Sequence, residues 1–93
     1  MVVLGEAEVQ ERLRGLPGWG RDGSGGGIRK EYEFRDFVAA MGFVQQVALL
    51  AQRADHHPDI HLRWNRVTLV LTTHSEGGLT ERDFKLAAQI DRL

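Results

Sequence analysis

The segment "DFVAAMGFVQQVALLAQRAD", Asp36 to Asp55, most constrains what this chain can become, because a helical repeat there is flanked on both sides by alternating, period-two stretches. Phe37, Ala40, Met41, Val44, Ala48 and Ala51 recur at helical spacing, and Asp36 is placed to cap the first turn. Phe43, Val47 and Leu50 add an adjoining apolar sector. The apolar surface is therefore wider than one sheet normally covers, and it fits either a deeply packed core helix or an interface between copies.

On the N-terminal side, Ile28, Lys30, Tyr32 and Phe34 share one parity while Arg29, Glu31, Glu33 and Arg35 share the other. This predicts a strand pair joined through the glycine tract of "WGRDGSGGGIRKEYEF". Before it, Val9 and Leu13 within Glu6 to Arg14 predict a short helix that stops at Gly15 and Pro17. On the C-terminal side, Ile60, Leu62 and Trp64 alternate with His61, Arg63 and Asn65. Val67, Leu69 and Leu71 then alternate with Thr68, Val70 and Thr72, which predicts two antiparallel strands turning near Asn65. Thr80 and Asp83 have the spacing of a capping box, and Phe84, Ala87, Ala88 and Ile90 continue a closing helix.

The order helix, two strands, helix, two strands, helix predicts an α+β fold, a four-stranded antiparallel sheet with helices on one face. No repeat or linker interrupts it, so residues 1–93 are expected to form one domain. A chain this short buries only about 60 to 65% of its unfolded surface, and self-association would help it.

Charge and composition exclude several functions. Twelve Lys and Arg stand against 13 Asp and Glu, with no basic run that could follow a phosphate backbone, so direct nucleic-acid binding is not expected. The absence of cysteine removes disulfides, thiolate nucleophiles and Cys-ligated zinc, and fits a reducing compartment. No apolar run approaches the roughly 20 residues that span a bilayer, and "MVVLGEAEVQERLRG" turns charged too early for a secretory segment. The expectation is a cytoplasmic protein without a membrane partner.

Two glycine patterns carry no nucleotide chemistry. "GWGRDG", Gly18 to Gly23, formally matches G-x-G-x-x-G but lies in a predicted hairpin instead of a strand-to-helix turn. "GSGGG" lacks the Gly-Lys-Ser/Thr of a phosphate loop and reads as a turn.

The chemistry concentrates in "ADHHPDIHLRW", which holds His56, His57 and His61 beside Pro58. Adjacent imidazoles can serve a metal or a proton transfer, since each titrates near neutrality and each neutral nitrogen can coordinate. Zinc would need three or four converging ligands, drawn without cysteine from His56, His57, His61, His74, Asp55 and Asp59. His61 shares its strand face with Arg63 and points away from Ile60 and Leu62, which argues against convergence. Pro58 biases His57 toward extended backbone, as in a helix-to-strand loop. His74, at the end of "VTLVLTTH", has the parity of Thr72 and could swing over the same loop.

A longer pattern ties these residues together: "HHP", five residues, Trp64, nine residues, His74, eight residues, Asp83. It resembles the signature of the pterin-4a-carbinolamine dehydratases, and "THSEGGLTERD" resembles the family's Thr-His-x-x-x-Gly-Leu-x-x-x-Asp stretch. "LPGW" at Leu16 to Trp19 and "FRDFVAAMGFVQQVAL" at Phe34 to Leu49 extend the resemblance over most of the chain. One position departs: Gln52 stands where the family usually carries a charged side chain, often Glu. A neutral amide can still hydrogen-bond there.

The resemblance implies a four-stranded antiparallel sheet with helices on one face, a homodimer or homotetramer joined through helices, and no metal or organic cofactor. It implies dehydration of 4a-hydroxytetrahydropterin to quinonoid dihydropterin in tetrahydrobiopterin recycling. It makes His56 and His74 general acids on either side of the 4a carbon, and His57 a pterin-binding group that assists as base. Thr72 and Thr73 would lie along the pterin edge, with Pro58 and Trp64 shaping the pocket. Asp83 matches the signature's acidic residue and equally fits the helix-capping role. Some relatives are dimerisation or assembly factors, so the alternative is a non-catalytic protein-binding module on the same scaffold. The complete histidine set favours the enzyme.

Overall fold

A computed structural model describes residues 1–23 and 26–93. The elements run α1 (Glu6–Leu13), β1 (Gly20–Arg21), β2 (Ile28–Glu33), α2 (Phe37–Ala54), β3 (Asp59–Arg63), β4 (Arg66–Leu71), a 3-10 turn at His74–Glu76, and α3 (Glu81–Ile90). This is the expected α+β order. The turn expected through the glycine tract falls on Ser24 and Gly25 and lies outside the described residues.

The four strands are antiparallel in the order β1-β2-β4-β3, so the two longest strands pair at the centre. Ile28 faces Leu71, Lys30 faces Leu69 and Tyr32 faces Val67, while Ile60 and Leu62 of β3 face Leu69 and Val67. Opposed residues share a face. Val67, Leu69, Leu71 and Ile28 therefore meet the helices, where they pack with Val9, Ala40, Val47, Phe84, Leu86, Ala87 and Ile90. The other face carries Arg29, Glu31, Arg66, Thr68, His61 and Arg63 and stays polar, as one-sided antiparallel sheets do.

Asp36 caps α2 as expected, its carboxylate accepting the Ala39 N–H at 2.8 Å. The inward face of α2 differs from the one its spacing suggests. Ala40, Val47 and Ala51 are buried and Phe43, Val44 and Leu50 pack beside them, whereas Phe37, Met41 and Ala48 turn outward with Val38 and Leu49. Both sets satisfy i,i+3 and i,i+4 spacing, so periodicity alone does not choose between them. The sheet decides by close approach, which the small Ala40 and Ala51 side chains permit.

α3 is fastened at its C-terminal end by Asp91, which accepts from Tyr32 Oη at 2.6 Å, Trp19 Nε1 at 3.0 Å and Lys30 Nζ at 3.1 Å. This explains a lysine on the inner parity of β2: its stem runs toward the rim and its ammonium reaches Asp91 and the Pro17 carbonyl. Burial, and then the hydrogen bond and charge of Asp91, push the Tyr32 phenol well above its usual range.

Candidate active site

The loop from α2 to β3 is set by how α2 ends. Asp55 adopts left-handed backbone at φ 51°, the His56 N–H returns to the Ala51 carbonyl at 3.1 Å, and the Asp55 N–H bonds the Gln52 carbonyl at 3.2 Å. This is a Schellman ending with aspartate in the position glycine usually holds. It reverses the chain and directs His56 toward α3.

There His56 Nε2 meets Asp83 Oδ1 at 2.6 Å, with His56 buried and the Asp83 side chain fully so. Asp83 Oδ2 accepts the Thr73 hydroxyl at 2.8 Å and the Thr80 N–H at 2.9 Å. The single Thr73 proton goes to Asp83, so in the 2.8 Å contact between the two threonine hydroxyls Thr80 donates and Thr73 accepts. A carboxylate with no exposure is tolerable when its lone pairs are occupied in this way. The helix-capping role expected for Asp83 falls to Oδ2, while Oδ1 holds His56, a contact the sequence did not suggest.

His74 opens the 3-10 turn instead of ending β4, because the strand stops at Leu71 and Thr73 bridges to Gly78. Gly77, at φ 79°, permits that tight return. His74 is exposed, placed by this turn and not by strand parity. It lines one open cleft with His56, His57, Thr72, Thr73, Ser75, Asp55 and Arg82. The cleft measures about 260 Å³, just below the roughly 300 to 1,000 Å³ of small-molecule sites.

The two paired histidines have unlike surroundings. His56 Nε2 is held by Asp83, while its Nδ1 has no hydrogen-bond partner among the described residues and is not sealed from solvent. His57 is exposed, with Nε2 at 3.3 Å from Gln52 Oε1. With the amide oxygen as acceptor, His57 Nε2–H is the donor in this contact. Gln52, the position that departs from the family pattern, thus keeps a contact with the imidazole.

Sequence reasoning did not single out Arg82, whose guanidinium donates to the carbonyls of Ala54 at 3.2 Å and of Asp55. These carbonyls end α2 and have no helical partner, so a cation suits them both as donor and against the helix dipole. Arg82 ties the first turn of α3 to the loop that carries His56. Its sequence signal was only that it precedes Asp83, and nothing in local spacing reports a contact 27 residues away.

Of the other expected site residues, Pro58 is half-buried at the start of β3 next to His57. Trp64 is not brought to the cleft within this chain. It sits in the β3–β4 turn at φ 52°, 68% exposed, at the opposite end of β3 from Pro58. The turn is held instead by Asn65, whose side-chain amide donates to the Phe34 carbonyl at 2.8 Å. His61 lies on the polar outer face beside Thr68, away from the other histidines. Among the described residues no three His, Asp or Glu side chains converge as a metal-binding group.

Comparison with known proteins gives a consistent outcome. The family model described as "Pterin 4 alpha carbinolamine dehydratase" matches residues 3–93. A protein of Roseiflexus sp. (strain RS-1), provisionally named pterin-4-alpha-carbinolamine dehydratase, is 53% identical over 90 residues, covering 97% of this chain and 95% of its own. One of Acidobacterium capsulatum, under the same provisional name, is 53% identical over 93 residues, covering 100% and 99%. The crystal structure of a transcriptional coactivator/pterin dehydratase from Brucella melitensis superposes with a TM-score of 0.93 at 42% identity, covering 98% of this chain and 97% of that one. A pterin dehydratase-like protein identified as a RuBisCO assembly factor in the alpha-carboxysome shares the fold, with a TM-score of 0.67 at 21% identity over 80% of this chain and 86% of that one.

Proposed function

The chain belongs to the pterin 4 alpha carbinolamine dehydratase family, and from that premise we propose that it dehydrates a 4a-hydroxytetrahydropterin to the quinonoid dihydropterin by histidine acid/base catalysis. The observation that carries this reading is the assembly of His56, His57 and His74 around one cleft, with His56 backed by the buried Asp83 carboxylate.

The reaction asks for one proton given and one taken. The N5 lone pair forms a double bond to C4a as the C4a–O bond breaks, the departing hydroxyl takes a proton and leaves as water, and a ring nitrogen releases a proton. With Nε2 held by Asp83, His56 is left with Nδ1 as the ring nitrogen that gives a proton to the departing hydroxyl. His74, on the facing turn, is the second acid, and His57 binds the pterin and takes the ring proton. Thr72 and Thr73 border the ring edge, with Pro58 framing the loop. An unperturbed imidazole near pKa 6.5 lets one histidine donate while another accepts around neutral pH, each positioned group contributing roughly 10²- to 10⁴-fold. No step calls for a metal or organic cofactor, so turnover is expected to survive exhaustive chelation.

Residues 1–93 act as one such domain in the cytoplasm, in tetrahydropterin recycling. No helix is long and apolar enough to cross a membrane among the described residues. Phe37, Val38, Met41 and Leu49, 46 to 77% exposed along α2, support a homodimer or homotetramer through this helix. The same face favours the second reading, a protein-binding role alongside or in place of catalysis. Light scattering at micromolar concentration tests the oligomer, and a monomer contradicts it. For the reaction, stopped-flow with freshly generated 4a-hydroxytetrahydropterin should show strong acceleration over the spontaneous rate. No acceleration removes the enzyme reading and leaves the binding module.

A further inference from the structure

His56 and Arg82 border a second depression behind the histidine cleft. It runs between the C-terminal half of α2 and α3 and measures about 300 Å³. Leu50 and Leu86 contribute apolar surface, and Arg53, Lys85 and Gln89 add polar ends. With Arg82 this gives three cations and no carboxylate among the lining residues, in a chain whose net charge is -1. Neither Arg53 nor Lys85 enters an ion pair among the described residues, whereas most of the chain's other cations do. The α2 carbonyls that would otherwise oppose an anion here are already bonded to Arg82.

We infer that this groove is a subsite for an anionic group, a phosphate or carboxylate, at the end of the substituent on C6 of the pterin. The inference rests on the dehydratase reading, because it takes the pterin ring to occupy the histidine cleft. C6 is bonded to N5, next to the reacting C4a, and its substituent takes no part in the elimination. A ring held among His56, His57 and His74 can therefore send this chain past the shared wall of His56 and Arg82 into the groove. An apolar floor suits the chain's carbon atoms. A planar guanidinium beside a mobile ammonium suits a terminal oxyanion.

The test uses the full chain and two stable pterins that differ only at the far end of the C6 chain: 7,8-dihydropterin with a trihydroxypropyl substituent, and its terminal phosphate monoester. Fluorescence titration at low ionic strength should find the phosphate ester bound about 3- to 30-fold more tightly, as expected for two partly exposed ion pairs. The preference should shrink as salt rises. It should fall to about one in the double variant Arg53→Gln, Lys85→Gln, which keeps good helix formers at exposed positions. If the neutral pterin binds but the ester has no advantage, or the advantage survives the double substitution, the subsite is overturned and the dehydratase reading stands. If neither pterin binds, both are overturned.

Discussion

Each end of α3 carries an aspartate that gathers three hydrogen bonds, and comparing the two separates the end proposed for chemistry from the end that fastens the fold. Asp83 lies in the first turn, where the helix dipole favours a carboxylate, and is wholly buried with a histidine, a threonine hydroxyl and a backbone N–H as partners. Asp91 lies just past the last turn, where the dipole opposes a carboxylate. A lysine, a tyrosine and a tryptophan offset that at a site whose side chain remains 21% exposed. One cluster opens through His56 onto a cleft. The other closes the seam between sheet and helix.

Breaking the Asp83 end should cost most. Asp83→Ala leaves His56 and Thr73 buried without their acceptor and is expected to destabilise the protein by about 3 to 5 kcal/mol in denaturant titration. It should also abolish turnover of the fraction that remains folded. His74→Ala, on the exposed side of the same cleft, should leave the unfolding midpoint nearly unchanged while slowing dehydration about 10²- to 10⁴-fold. An unaltered kcat would remove His74 from the acid role.

At the other end the pattern should invert. Asp91→Asn is expected to lower stability by about 1 to 3 kcal/mol while kcat of the folded enzyme holds. A fall in kcat parallel to that of an Asp83 variant would erase the contrast. The smallest effect concerns pH. Because the Tyr32 phenol is held protonated in the fold, the unfolded chain ionises first as pH passes about 10, and stability declines above that value. The slope should stay well below the limit of about 1.4 kcal/mol per pH unit for one proton, since the half-exposed ring is screened by solvent. Tyr32→Phe should flatten that alkaline limb in melts recorded between pH 8 and 11.

The Asp83 end was legible in the sequence and the Asp91 end was not, for a physical reason. The capping box of Thr80 and Asp83 is a local pattern, and the histidines lie at spacings that resemble a known signature. Asp91 draws its partners from Trp19, Lys30 and Tyr32, at least 59 residues away, and no local period encodes such contacts. The same limit explains α2, where two apolar stripes satisfied one repeat and only the docked sheet could choose Ala40, Val47 and Ala51. Trp64 reads as a strand residue until the turn, closed by the bonds between Asn65 and Phe34, takes it out of β3.

The donors behind His56 are aligned in one direction. The Arg82 N–H gives to Thr80, the Thr80 hydroxyl to Thr73, and the Thr73 hydroxyl to Asp83, so every hydrogen along this line points toward the carboxylate. Such a line is a one-way street that starts at a peptide N–H, which has no proton to spare at neutral pH. Asp83 is therefore a fixed hydrogen-bond partner for His56 and cannot pass a proton on to bulk water by this route. In the proposed reaction His56 therefore exchanges its proton through Nδ1 and the open cleft, the same side from which the pterin would arrive.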